Sequence, residues 1–154
     1  GSKEFVVDAW RWKYRLGGAM RQSGVLAAAG LYALDNHIEQ LAEDNANAHR
    51  IHEAIRNAPG LAFDETAGQS NILCFSVAGL GITAAAFAEA CLKEDVRIRA
   101  IGRDQIRVTA NLDVDRAGSE RAAEVILATA SAFASRAEAP HSSSARLPAG
   151  SLAQ

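Results

Sequence analysis

Gly17-Gly18-Ala19-Met20-Arg21-Gln22-Ser23-Gly24-Val25-Leu26-Ala27-Ala28-Ala29 is the stretch on which the reading of this chain turns. The glycine pair ends whatever precedes it, because glycine takes up backbone angles that other residues avoid. One Met, one Arg and one Gln follow, then small apolar residues. Val25 to Leu31 carries no polar face, which predicts a helix start buried on all sides. Arg21 stands where the chain bends and the helix begins. There a cation and a helix N-terminus can meet one anion together. The spacing alone leaves a second reading open, a plain helix-turn-helix with a surface arginine.

Upstream, Glu4 to Leu16 reads as an amphipathic helix. Phe5, Ala9, Trp12 and Leu16 share one face; Glu4, Asp8, Arg11 and Arg15 share the other. Trp10, Trp12 and Tyr14 interleave with Arg11, Lys13 and Arg15, a pattern that also suits a nucleic-acid patch. The interspersed acids and the net charge of -2 favour snorkelling side chains around an anchored helix instead. Downstream, one long helix is predicted over 22–57. Leu31, Leu34, Ile38, Leu41, Ala48 and Ile55 recur at helical spacing. Glu39, Glu43, Asp44, Asn47 and Arg50 take its wet side, and Pro59-Gly60 stops it.

Beyond residue 60 the period changes. Leu61 to Phe63 reads as a short strand and Asn71 to Val77 as a strand with an apolar centre. Thr83 can cap a helix from Ala84 to Glu94. Val96 to Ala100 alternates, Gly102 to Gln105 turns, and Gln105 to Thr109 returns. Asp115 can cap a last helix from Ala117 to Arg136, with Ala122, Val125, Ile126, Leu127 and Ala130 inward. Residues 137–154 turn to Ser, Ala, Pro and Arg and read as a disordered tail. Helices on one face of a small antiparallel sheet make the fold class α+β.

The chain has 154 residues, enough for one domain with a real core. It is 49% hydrophobic, an ordinary globular balance that speaks against a nucleic-acid-binding or disordered protein. No apolar run approaches membrane-spanning length, and no signal peptide is visible. Cys74 and Cys91 make neither a disulfide framework nor a metal-ligand spacing. They read as buried reduced thiols in a cytoplasmic protein. His49 and His52, with Glu53 beside them, lack an evident further ligand, so no metal is assigned and a solvated helix face is the reading. Arg107 lies on a strand of Ile, Val and Thr. If Ile106 and Val108 face the core, Arg107 faces the other way, as a solvated strand residue would.

Leu16 to Gly30 resembles the signature of the L-threonine aldolase family, Leu-Gly-Gly-Gly-Met-Arg-Gln-Ala-Gly followed by an alanine-rich helix. The differences, at Ala19 and Ser23, are small-for-small. Leu41 to Ala48, Ser70-Asn71-Ile72 and Arg107 to Val114 follow in the family's order, so the resemblance covers roughly residues 1–130. It implies a pyridoxal-phosphate (PLP) enzyme of the aspartate-aminotransferase-like fold type I, of which this chain is the C-terminal portion. Residues 1–21 would close the large PLP domain, 22–57 would link, and 58–136 would form the small C-terminal domain. The implied reaction is carbon–carbon cleavage of L-threonine or L-allo-threonine to glycine and an aldehyde. The implied partner is a small amino-acid substrate, and the implied assembly a homotetramer of two dimers. The alternative is a non-catalytic α+β module for oligomerisation or regulation.

The resemblance also assigns roles. It implies that Arg107 binds the substrate α-carboxylate, for which a guanidinium fork is the matching shape. It places Arg21 near the cofactor phosphate. The family often has a Lys seven residues before that Arg; Tyr14 stands there, and Lys13 or Arg15 could substitute. The family pattern Arg-x-Val-Thr-His-Leu-Asp-Val has a His where this chain has Asn111. Nothing here matches the family's cofactor-anchoring lysine. Ser2-Lys3 is followed by Glu4-Phe5 rather than Gly-Leu. No catalytic residue is therefore assigned in this chain, which reads as a fragment inactive alone.

Overall fold

The computed structural model describes residues 1–138. The chain divides into two compact units, Gly1–Gln40 and Leu41–Gln154. The division falls inside the segment predicted to be one linking helix.

In the first unit, α1 spans Lys3–Arg15, and the Ser2 hydroxyl caps it by accepting from the Phe5 amide at 3.2 Å. Gly17 (φ +74°) ends it. The Gly18 amide reaches back to the Lys13 carbonyl at 2.8 Å and the Gly17 amide to Tyr14 at 3.2 Å. This is a Schellman closure, and its left-handed residue is why the chain needs glycine there. The second helix, α2, spans Gly24–Asn36. It was expected to be buried, yet no residue of either helix is buried within this unit. Val25 is 74% exposed and Leu31 61%, because the unit contains no core for an apolar cylinder to enter.

The predicted helix over 22–57 is two helices. The break is at His37–Glu39, and α3 spans Gln40–Ile55. The Asn36 side chain donates to the Tyr32 carbonyl at 2.8 Å, and His37 leaves helical geometry at φ -121°. Asp35, Asn36 and His37 are all weak helix formers, and a side-chain amide on the i−4 carbonyl competes with helix continuation.

The second unit holds α3, β1 (Ile72–Ser76), α4 (Ala84–Leu92), β2 (Arg99–Ala100), β3 (Gln105–Thr109) and α5 (Arg116–Glu138). The sheet is antiparallel in the order β1-β3-β2, so the predicted return strand is the central one. Thr83 caps α4 by accepting from the Ala86 amide at 3.2 Å; Asp115 accepts from the Gly118 amide at 2.7 Å at the head of α5. The core lies on one face of the sheet, with Leu73, Phe75, Phe87, Ile106 and Ile126 fully buried together with Ile51 and Ile55 of α3. A row of rings crosses it, from His52 through Phe63, Phe75 and Phe87 to Phe133, with successive centroids 5.0, 5.6, 6.0 and 6.3 Å apart. The α+β class is as the sequence indicates.

Several details differ. The strand predicted over Val96 to Ala100 shrinks to Arg99–Ala100. Asp95 is left-handed (φ 60°) and the Val96 amide bonds the Cys91 carbonyl at 3.0 Å, so this chain is tied to the end of α4 rather than to the sheet. Leu61 to Phe63 contributes a single bridge, Ala62 to Ser76. Leu127 faces out. Cys91 is buried, and burial pushes its thiol pKa up; Cys74 is only half-buried, because it sits on the sheet face away from the core. Asp44 and Asn47, assigned to a wet face, are buried, and Asn47 bonds Val114 and Ser119 at the start of α5. The helix α5 runs to Glu138, and the rest of the tail predicted over 137–154 lies outside the described residues.

Candidate functional site

The sheet face away from the core carries Arg107. Ile106 and Val108 are buried, so alternation puts Arg107 on the opposite face. Its register partners are Cys74 on β1 and Arg99 on β2. Arg107 is half-buried. Its Nε is enclosed and has no hydrogen-bond partner, and among the described residues the side chain makes no ion pair. A buried guanidinium nitrogen without an acceptor costs free energy that a bound anion would offset.

The chain that follows Arg107 is pinned at both ends. Asn71 and Ala110 exchange two bonds: the Ala110 amide donates to the Asn71 carbonyl and the Asn71 side chain donates to the Ala110 carbonyl, both at 2.9 Å. Asn47 donates through Nδ2 to the Val114 carbonyl at 2.8 Å. Asn111 shapes the turn between them, its side-chain oxygen accepting from the Asp113 amide at 3.0 Å. A short polar side chain favours such a turn, which gives Asn111 a local role of its own. The sequence reading passed over Asn47 and Arg99 as site-supporting residues. Asn47 sits in a polar run that mimics a wet face, and the position of Arg99 depends on strand register.

The other candidates lie in the first unit. Arg21 is exposed in the turn before α2, and among the described residues no carboxylate pairs with it. Ser23 precedes α2 without a side-chain cap bond, so the first amides of α2 are not satisfied by it. The Lys13 ammonium lies over the Trp10 ring at 4.6 Å, and the Arg15 guanidinium over Trp12 at 5.4 Å. Those contacts account locally for the interleaving of basic and aromatic residues. Arg21 and Arg107 thus belong to separate units. His49, His52 and Glu53 do bring their ligand atoms within 4.8 Å of one another. Glu53, however, is engaged by Arg56 at 3.3 Å, and the His52 ring packs on Phe63.

The Beta-eliminating lyase family matches residues 1–78, half of the chain, from α1 through β1. This chain belongs to that family. Two proteins named "Low specificity L-threonine aldolase", from Escherichia coli O157:H7 and strain K12, are each 38% identical over 125 residues, 81% of this chain and 34% of theirs. The "Probable low-specificity L-threonine aldolase 2" of Arabidopsis thaliana is 39% identical over 74 residues, 47% of this chain and 21% of its own. The chain therefore spans about a third of the length of the first two. A solved structure, "The structure of MppP soaked with the product 2-ketoarginine", superposes with a TM-score of 0.51 at 16% identity, covering 64% of this chain and 30% of that one. The likeness is one of fold, helices on a small antiparallel sheet.

The residues of this lyase-family chain suit one end of PLP, the cofactor the resemblance implies. Arg21 and the uncapped start of α2 offer a free cation and amide donors suited to a phosphate. Among the described residues no lysine is enclosed. Lys3, Lys13 and Lys93 are all exposed; Lys13 lies over Trp10 and Lys93 pairs with Glu89 at 3.2 Å. A lysine that anchors a cofactor has to be enclosed with it. Among the described residues no helix is long and apolar enough to cross a membrane.

Proposed function

We propose that this chain is the carboxylate-binding portion of a PLP-dependent, threonine-aldolase-like lyase that cleaves β-hydroxy-α-amino acids such as L-threonine and L-allo-threonine to glycine and an aldehyde. The observation that carries it is Arg107, a half-buried arginine whose Nε is enclosed without an acceptor, on the sheet face away from the core of a chain in this family. Arg107 holds the substrate α-carboxylate and so orients Cα. Arg21 takes the cofactor phosphate, with Lys13 and Arg15 as nearby cations. When bound, PLP supplies a sink for the electron pair left on Cα as the Cα–Cβ bond breaks. The full-length enzyme is a cytoplasmic homotetramer built from dimers. Release of acetaldehyde from L-threonine or L-allo-threonine by the full-length enzyme is the test; glycine formation without aldehyde, or no turnover of either, sinks the assignment.

The 154 residues alone should not turn over threonine. With PLP added, borohydride should trap no specific adduct on Lys3, Lys13 or Lys93, as read by peptide mass spectrometry. A stoichiometric adduct at one of them, accompanied by aldehyde release, would show that this chain carries its own anchoring lysine.

A second reading, an oligomerisation module, draws on α2. Val25, Leu26, Leu31, Tyr32 and Leu34 are all more than 60% exposed within their unit. A patch of that kind favours association. Sedimentation should show a mass that rises with concentration, whereas a monomer unchanged over a hundredfold dilution range (about micromolar to about 100 micromolar, where contacts of such patches act) would count against it.

A further inference from the structure

We infer that Arg99 completes a two-guanidinium anion seat with Arg107, and that this seat selects ligands carrying two carboxylates over ligands carrying one. The inference rests on the reading of Arg107 as a carboxylate ligand. Arg99 is paired with Arg107 in the β2–β3 register, so the two side chains leave the sheet on the same face. Directly opposed residues of an antiparallel pair have Cβ atoms about 4.5–5.5 Å apart, and like charges in that position destabilise the sheet. Arg11, Arg50, Arg56, Arg116 and Arg121 each have a carboxylate within 4.0 Å. Among the described residues Arg99 and Arg107 have none, as is also true of Arg15, Arg21, Arg97, Arg103 and Arg136; only Arg99 and Arg107 are register partners. On the far side of Arg107 stands Cys74, which is not a carboxylate either. The sheet thus opposes two cations and supplies no counter-charge for them.

The two arginines differ in a way that orders the seat. Arg107 is on the central strand, half-buried, with its Nε enclosed; Arg99 is on the edge strand and exposed. A ligand whose first carboxylate enters at Arg107 extends toward the edge, where Arg99 meets its second. With carbon–carbon bonds of about 1.5 Å, three intervening methylenes put two carboxylates roughly 5 Å apart, within reach of two long side chains rooted on neighbouring strands. The substrate class this favours is a β-hydroxy-α-amino acid whose side chain ends in a second carboxylate. Each guanidinium can then take one carboxylate bidentately.

The test is a calorimetric or NMR titration of the 154-residue chain with glutarate, butyrate and inorganic phosphate, on wild type, Arg99→Gln and Arg107→Gln. Glutarate should bind about tenfold or more tightly than butyrate, the scale of one added charge-assisted contact. Arg99→Gln should erase that preference by weakening glutarate more than butyrate; Arg107→Gln should weaken both. Arg99 is exposed and on the edge strand, so circular dichroism should show Arg99→Gln folded as wild type. Equal affinity for glutarate and butyrate, no binding of glutarate, or a preference that survives Arg99→Gln overturns the inference. Phosphate binding more tightly than glutarate also overturns it, since that would mean a compact single-anion seat. If Arg107→Gln leaves butyrate affinity unchanged, the carboxylate role of Arg107 falls as well. If Arg107→Gln weakens butyrate while Arg99→Gln changes nothing, only the role of Arg99 falls.

Discussion

Arg107→Ala in the full-length enzyme should lower kcat/KM for L-threonine by roughly tenfold to several hundredfold, and Arg107→Lys should recover little of it. The geometry is the reason. The buried pair Ile106 and Val108 fixes β3 against the core, and period-two alternation then leaves Arg107 no choice of face. Its Nε is enclosed with no acceptor, so the guanidinium meets a carboxylate without breaking an existing bond. Hydrogen bonds to charged groups contribute about 1.5–3 kcal/mol each, which sets the size of the effect. Lysine keeps the charge and loses the planar fork that matches a carboxylate. A carboxylate held there would also fix which bond at Cα is presented for cleavage, so kcat should fall together with affinity. Steady-state kinetics with L-threonine and L-allo-threonine check this. Wild-type KM and kcat in both variants would make Arg107 an ordinary strand residue.

The sequence made the local grammar legible. Thr83 and Asp115 read as helix caps and act as caps. Gly17 and Gly18 read as a break and form a Schellman closure. The alternation around Arg107 gave its face before any coordinates. What could not be read has two sources, local exceptions to the period and partners distant in the chain. The break at His37–Glu39 follows from three weak helix formers and one side-chain bond inside an otherwise helical period. The shortening of β2 turns on left-handed Asp95, a conformation that non-glycine residues seldom adopt. Asp44 and Asn47 fit a polar face by pattern, but α5 covers that face, and pattern says nothing of what packs against it. Arg99 reads as one of several scattered arginines until the register sets it beside Arg107.

Asn47→Ala should destabilise the second unit by about 2–4 kcal/mol, measured by urea unfolding followed by circular dichroism. Asn47 is fully buried and joins three segments. Its Nδ2 donates to the Val114 carbonyl at 2.8 Å, while its Oδ1 accepts from Arg50 and faces the Ser119 hydroxyl at 3.2 Å. Ser119 also bonds the Arg116 carbonyl at 2.7 Å, and one hydroxyl proton serves one acceptor well, so Ser119 survives the loss of Asn47. The Val114 carbonyl does not: truncation leaves it without its donor, at about 1–3 kcal/mol, and the missing amide leaves a void besides. Asn47→Asp separates the two parts. It keeps the shape and the acceptor but replaces the donor with a carboxylate aimed at a carbonyl oxygen. The acceptor oxygen still serves Arg50, so this variant isolates the loss at Val114. Asn47→Asp as stable as wild type, or Asn47→Ala within about 0.5 kcal/mol of wild type, would mean that the Asn47–Val114 bond does not hold the segment after Arg107 in place.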